Sequence, residues 1–115
     1  MRVPRGTINL LKQACEDVLK DPMILKGKKL EYSNKNSSAW NSKIFSEFND
    51  VPEDTIKLCV TQSGPNVYYI LVSMNMDWQI VADNIVKKIK ELYKDNIVVS
   101  YKTFEEKFMG FTITF

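Results

Sequence analysis

The sequence predicts an α+β domain. It begins with one N-terminal helix, or with two, and a ββαββ unit follows. The four strands form a mainly antiparallel sheet, and the helices pack on one face of it. Three observations support this fold. Apolar residues recur at helical spacing near the N-terminus and again over 78–94. Two pairs of strand-like segments flank the second of these helices. The chain has 115 residues, 44% hydrophobic and 26% charged, so a single domain over 1–115 is expected.

The N-terminal third of the chain contains one strong helical pattern and one shorter pattern. The first helix, Thr7–Leu19, begins with its threonine as the N-cap and should end just before Pro22. A second helix is predicted over 38–48, where the residues that share one apolar face are Trp40, Ile44, Phe45 and Phe48. Between the two helices, the lysines and asparagines around Leu30 and Tyr32 favour an exposed loop over a strand.

The strand-like segments form two antiparallel hairpins. Residues 55–62 alternate between apolar and polar positions, and 67–74 are rich in β-branched and aromatic residues, with a Gly-Pro turn between them. The period of two returns over 97–102 and 108–115, which are joined by a polar tip.

The helix over 78–94 connects the two hairpins. Asp77 is its expected N-cap, and its apolar stripe consists of Trp78, Val81, Ile85, Ile89 and Leu92. A helix that follows one hairpin and precedes another completes the ββαββ order, so we expect this helix to cover the sheet.

The composition argues against an enzyme or a metal protein. The chain has no histidine, which removes the usual general base near neutral pH and the commonest metal ligand. Cys59 has Lys57 two residues away but no imidazole to activate it, so buried apolar packing is the favoured role of both Cys59 and Cys15. The adjacent carboxylates at 53–54 and 105–106 fall on solvated turns. We expect no catalysis, no cofactor and no metal.

Charge and hydropathy indicate a soluble intracellular protein. The net charge of +2 is too small to act as an electrostatic footprint for nucleic acid or anionic lipid. No signal-like apolar run follows the basic N-terminus, and no segment approaches the roughly 18 apolar residues of a membrane span. We therefore expect a cytoplasmic location, reduced thiols and no membrane partner.

The strongest functional indication is the amount of apolar surface on both faces of the strands. One layer of helices covers only one face, and the last strand offers an edge for strand addition, so we expect a protein-binding adaptor or assembly subunit that can form a homodimer. The expected partner-binding residues are Tyr68, Tyr101, Phe108, Phe111 and Phe115. The alternative is that Trp40, the loop at 24–36 or the N-terminal arm covers the second face within the monomer.

A nucleic-acid-binding module is the second hypothesis. It would use the lysine-bearing helix over 77–94 and the basic N-terminal segment. The alternative is that the lysines only solvate a helix and a loop, because Asp83, Glu91 and Asp95 are interspersed among them. Its candidate residues are Arg2, Arg5, Lys28, Lys29, Lys87, Lys88 and Lys94. Charge reversal on the helix should abolish nucleic-acid binding and leave protein binding intact.

The segment Ala39-Trp40-Asn41-Ser42-Lys43-Ile44-Phe45, leading into Leu58-Cys59-Val60, resembles the small dimeric dynein light chains of the Tctex type. The resemblance implies a dimeric adaptor. The amphipathic helix over 78–94 departs from that family, which joins its second and third strands by a loop. No functional residue is therefore carried across.

Overall fold

The computed structural model describes residues 6–33, 48–73, 78–104 and 107–115. Within these ranges the chain forms three α-helices and five strands. The helices are α1 (Thr7–Leu19), α2 (Pro22–Leu25) and α3 (Trp78–Tyr93), and a short 3-10 turn, Lys94–Asn96, follows α3. The strands are β1 (Lys29–Tyr32), β2 (Thr55–Gly64), β3 (Val67–Ser73), β4 (Val98–Phe104) and β5 (Phe108–Thr114).

The five strands form one mixed sheet in the order β1-β2-β3-β5-β4. β1 runs parallel to β2, and the other three neighbouring pairs are antiparallel. The α+β class and both hairpins are confirmed. β5 is the last strand in the sequence, but it lies between β3 and β4 in the sheet. The expectation that the terminal strand is an open edge is therefore wrong.

The expectation of four strands is also wrong, because the segment assigned to a loop forms β1. Leu30 and Tyr32 are partly buried against the core and stand opposite Ile56 and Leu58 of β2. The Ser33 N–H donates to the Leu58 carbonyl at 2.8 Å, which extends the pairing. Pairing with β2 and burial against the core outweigh the polar composition around this short strand.

The ends of the N-terminal helices are set by glycine and by a proline. Gly6, and not Thr7, is the N-cap of α1, with a φ of 72° in the left-handed region that favours glycine. The predicted end of α1 before Pro22 is confirmed. The Asp21 side chain then accepts a hydrogen bond from the Met23 N–H at 2.9 Å and caps α2, whose first residue is Pro22.

The main core lies between the helices and one face of the sheet, called here the helix face. The apolar stripes of α1 and α3 pack on alternate residues of the central strands. Val81, Ile85 and Ile89 are buried as predicted, but Leu92 is exposed and Tyr93 is buried in its place. The buried strand residues of this face are Ile56, Leu58, Val60, Tyr68, Ile70, Val72, Met109, Phe111 and Ile113.

A smaller cluster lies on the opposite face of the sheet. Phe48 is only 1% exposed and packs with Cys59, Leu71 and Phe108, and Phe104 borders this cluster. The rings of Phe48 and Phe108 have centroids 5.8 Å apart. Part of the face expected to be open is therefore covered within the monomer. Apart from Phe48 and Asn49, the segment 34–49 lies outside the described residues, as does the expected N-cap Asp77.

Candidate functional site

The five predicted partner-binding residues do not form one exposed surface. Tyr68 and Phe111 are buried in the main core, and Phe108 is buried on the opposite face beneath Phe48. Phe115 is partly buried, with its ring edge-on to Tyr68 and Tyr93. Only Tyr101 is exposed, at 36%. The expectation of a shared surface is wrong because cross-strand pairing puts Tyr68, Phe111 and Tyr101 on the helix face and Phe108 on the other.

The predicted nucleic-acid residues do not converge either. Lys28 and Lys29 lie at the start of β1, at the opposite edge of the sheet from β4. The Lys88 Nζ lies 4.0 Å from Asp17 Oδ2 of α1. Lys87 lies in α3 and Lys94 in the turn after it, and Asp83 and Glu91 are interspersed along α3. Arg2 and Arg5 lie outside the described residues.

Two strands form the edges of the sheet in the described part of the chain, and they differ in exposure. β1 has four residues, of which Lys29 and Glu31 are exposed charges, and charges of this kind protect an edge from further pairing. β4 has seven residues, five of them exposed, and Lys102 is its only charge. Val98 is 68% exposed. β4 is therefore the longer and the less protected edge.

The nearest helix does not pair with the outer edge of β4. α3 packs mainly on α1 and lightly on β4. A helix that lies on one face of a sheet does not bond to the N–H and C=O groups that an edge strand directs outward in the plane of the sheet. In the described ranges, β4 is therefore an edge that no other strand pairs with on its outer side.

A groove of about 460 Å³ runs between α3 and β4. Val86 and Tyr101 are the uncharged residues that line it, and Val86 also packs against the main core. Its charged rim has two anions and two cations: Asp83, Glu91, Lys87 and Lys90. An apolar groove beside an exposed strand edge can hold one side chain of an extended peptide.

Neighbouring aromatic residues hold this edge in place. The Tyr101 ring lies over Phe111, with centroids 5.5 Å apart and planes 36° apart, and Phe111 is fully buried. At the end of β4, Phe104 stacks on Phe108 with a centroid distance of 4.9 Å, and the Lys102 Nζ lies 4.8 Å from the Phe104 centroid. These contacts involve both faces of the strand.

Burial sets the state of the Cys15 thiol and of the Tyr32 hydroxyl. Burial, followed by the nearby Glu16 charge, raises the pKa of the Cys15 thiol to about 12, so it is protonated at neutral pH. Neither Cys15 nor Cys59 is in a disulfide, and they belong to clusters on opposite faces of the sheet. Tyr32 donates a hydrogen bond to Glu16, and burial and this bond raise the Tyr32 pKa.

Within residues 6–33, 48–73, 78–104 and 107–115, no group of three or more candidate ligands could hold a metal ion. None of the helices in those ranges is long and apolar enough to cross a membrane. Comparisons with family models, with curated proteins and with solved structures give no match for this chain.

Sequence reasoning missed the α3–β4 groove because it depends on strand order. The alternation over 97–102 gives no sign of which strand occupies the edge. Only the insertion of β5 between β3 and β4 makes β4 an edge. The low charge of 98–104 is the one local signal that points to an edge open to pairing.

Proposed function

We propose that this chain is a small, non-enzymatic protein-interaction module that binds an extended strand along the outer edge of β4. The observation that carries the proposal is the exposed seven-residue strand beside an apolar groove. Main-chain groups along the edge supply affinity, and the groove supplies a preference for one side chain.

The edge supplies hydrogen bonds that are independent of the partner's sequence. In a strand, alternate residues direct their N–H and C=O groups to the two sides, so about half of the β4 residues direct these groups outward. Each additional main-chain hydrogen bond contributes a net 0.5–1.5 kcal/mol, or roughly 1 kcal/mol. Four such bonds contribute about 4 kcal/mol to the binding of a short strand.

The groove adds an anchor for an aliphatic or aromatic side chain. Burial of one such side chain against Val86 and Tyr101 contributes about 2 kcal/mol. Association itself costs at least about 4 kcal/mol in lost translational and rotational freedom. A short strand alone therefore binds in the millimolar range or more weakly, and a functional partner needs a longer pairing or a second anchor.

Selection from a random library of peptides long enough to pair along all of β4 and to carry a second anchor, followed by amide NMR titration, tests this proposal. We expect the selected peptides to be extended, with one apolar residue, and to shift amide signals of β4 and of the groove side of α3. Tyr101→Lys, which places a charge on the groove lining, should abolish binding. Ile80→Lys is the matched control, because Ile80 is 56% exposed on α3 and does not line the groove.

Two results would contradict the proposal. One is a set of selected peptides that shift signals elsewhere and bind the Tyr101→Lys variant as tightly as the original chain. The other is equal weakening by Ile80→Lys and Tyr101→Lys, which would place the contact on α3 and away from the strand edge.

A further inference from the structure

The outer edge of β4 can pair with a second copy of itself under a simple geometric rule. A two-fold axis perpendicular to a sheet brings two identical edge strands together in antiparallel orientation. Directly opposite residues then point to the same face. One residue must therefore stand opposite its own copy, and the axis passes midway between these two copies. Near the middle of β4 this leaves three possible centres: Ser100, Tyr101 and Lys102.

The side chains of β4 distinguish these three registers. A centre at Lys102 sets two lysines directly opposite each other, which is destabilising. A centre at Ser100 sets the exposed Val98 against Lys102 of the second copy, and it leaves the last two residues of β4 without a partner in the opposing β4. Tyr101 is the middle residue of Val98–Phe104, so a centre there pairs all seven residues.

The pairs formed about Tyr101 are compatible with one another. Val98 stands opposite Phe104 of the other copy, and Ser100 stands opposite Lys102, so no like charges meet. The two Tyr101 rings stand side by side at the mouths of the two grooves. Cross-strand aromatic pairs and apolar pairs of this kind stabilise antiparallel strands.

The charges around the groove also fit Tyr101 of a second copy as its occupant. The rim has two cations and two anions, so it presents no net charge to select a strongly acidic or basic peptide. A neutral aromatic side chain such as Tyr101 suits an apolar groove with a balanced rim. The symmetric arrangement also provides a longer pairing and two anchors, which a short single strand lacks.

We infer that the strand bound at β4 is β4 of a second copy. The two strands pair antiparallel about a two-fold axis, with Tyr101 of one copy directly opposite Tyr101 of the other. This inference rests on the proposed function of the β4 edge. It yields a continuous ten-stranded sheet in the dimer, since each copy contributes five strands.

Disulfide trapping tests the register directly. Residues opposite each other across an antiparallel pair have Cα atoms about 4.5 or 5.5 Å apart, within the 4.4–6.8 Å range of disulfides. Tyr101→Cys should therefore form a cross-linked dimer under mild oxidation. Ser100→Cys alone should not, because the two positions are then about 8 Å apart, and a mixture of Ser100→Cys with Lys102→Cys should. Cys15 and Cys59 are buried, so the unmodified chain is the background control.

The mixed pair keeps Tyr101 in place, so the test remains valid if Tyr101→Cys weakens the dimer. Cross-linking of Ser100→Cys alone, or of Lys102→Cys alone, would place the axis elsewhere and overturn the inference. A chain that stays monomeric by light scattering and does not cross-link, but binds library peptides at β4, overturns the inference and leaves the proposed function standing. A monomer that binds no strand at β4 overturns both.

Discussion

Removal of the Phe48 side chain tests how the second face of the sheet is covered. Phe48 is 1% exposed and packs on Cys59, Leu71 and Phe108. A Phe→Ala change in a core costs about 3–5 kcal/mol, and this cluster is small and borders solvent, so we expect about 3 kcal/mol. Domains of this kind have unfolding free energies of about 5–15 kcal/mol, so the variant should stay folded but be much less stable.

Urea denaturation measures this loss, and thiol labelling locates it. Phe48→Ala should lower the urea midpoint with little change in slope. It should also speed the labelling of Cys59, which it uncovers, more than that of Cys15, which lies on the helix face. A loss below about 1 kcal/mol together with unchanged Cys59 labelling would refute the claim that Phe48 covers this part of the face.

Three further predictions concern other parts of the molecule. Because the folded state holds the Cys15 and Tyr32 protons more tightly than the unfolded chain does, the unfolding free energy should fall as pH rises above about 9. Cys15→Ala and Tyr32→Phe should each reduce that decline in urea titrations, and unchanged slopes in both variants would contradict the cause given. Val98→Lys should weaken strand pairing at β4 while shifting stability by no more than about 0.5 kcal/mol, as judged by light scattering and thermal unfolding; a dimer of undiminished stability would contradict it. Lys28→Glu with Lys29→Glu should leave β4 pairing unchanged. The original chain should show no salt-sensitive binding to a 20-nucleotide single strand in fluorescence anisotropy. Such binding, if the double variant abolished it, would favour the nucleic-acid hypothesis.

Local patterns were enough to predict the long helices and both hairpins. The residues at helical spacing in α1 and α3 are mostly buried, and alternation predicts β2, β3 and β5 closely. Leu92 and Tyr93 mark where this reasoning fails. Both side chains are apolar enough for the stripe, but the packing at the end of the helix buries Tyr93 and leaves Leu92 exposed. This burial raises the pKa of the Tyr93 hydroxyl.

Features that depend on distant parts of the chain could not be predicted. β1 exists because Leu30 and Tyr32 pack on the core beside β2, which local composition does not encode. β3 is apolar on both faces, so alternation separates Tyr68 from Leu71 without indicating which face the helices cover. The strand order decides which residues lie at an edge, and local alternation does not contain it, so the predicted partner-binding residues fall on both faces of the sheet.

Amide hydrogen exchange of β4 as a function of protein concentration tests the central claim most directly. If β4 is the pairing edge, the outward N–H groups of Val98–Phe104 should become protected as concentration rises from about 1 to 500 µM, while those of the β1 edge stay unchanged. Ile80→Lys should show the same protection, and Tyr101→Lys should lose it. Protection of β4 that is independent of concentration, or protection that appears at β1 and not at β4, would contradict the account.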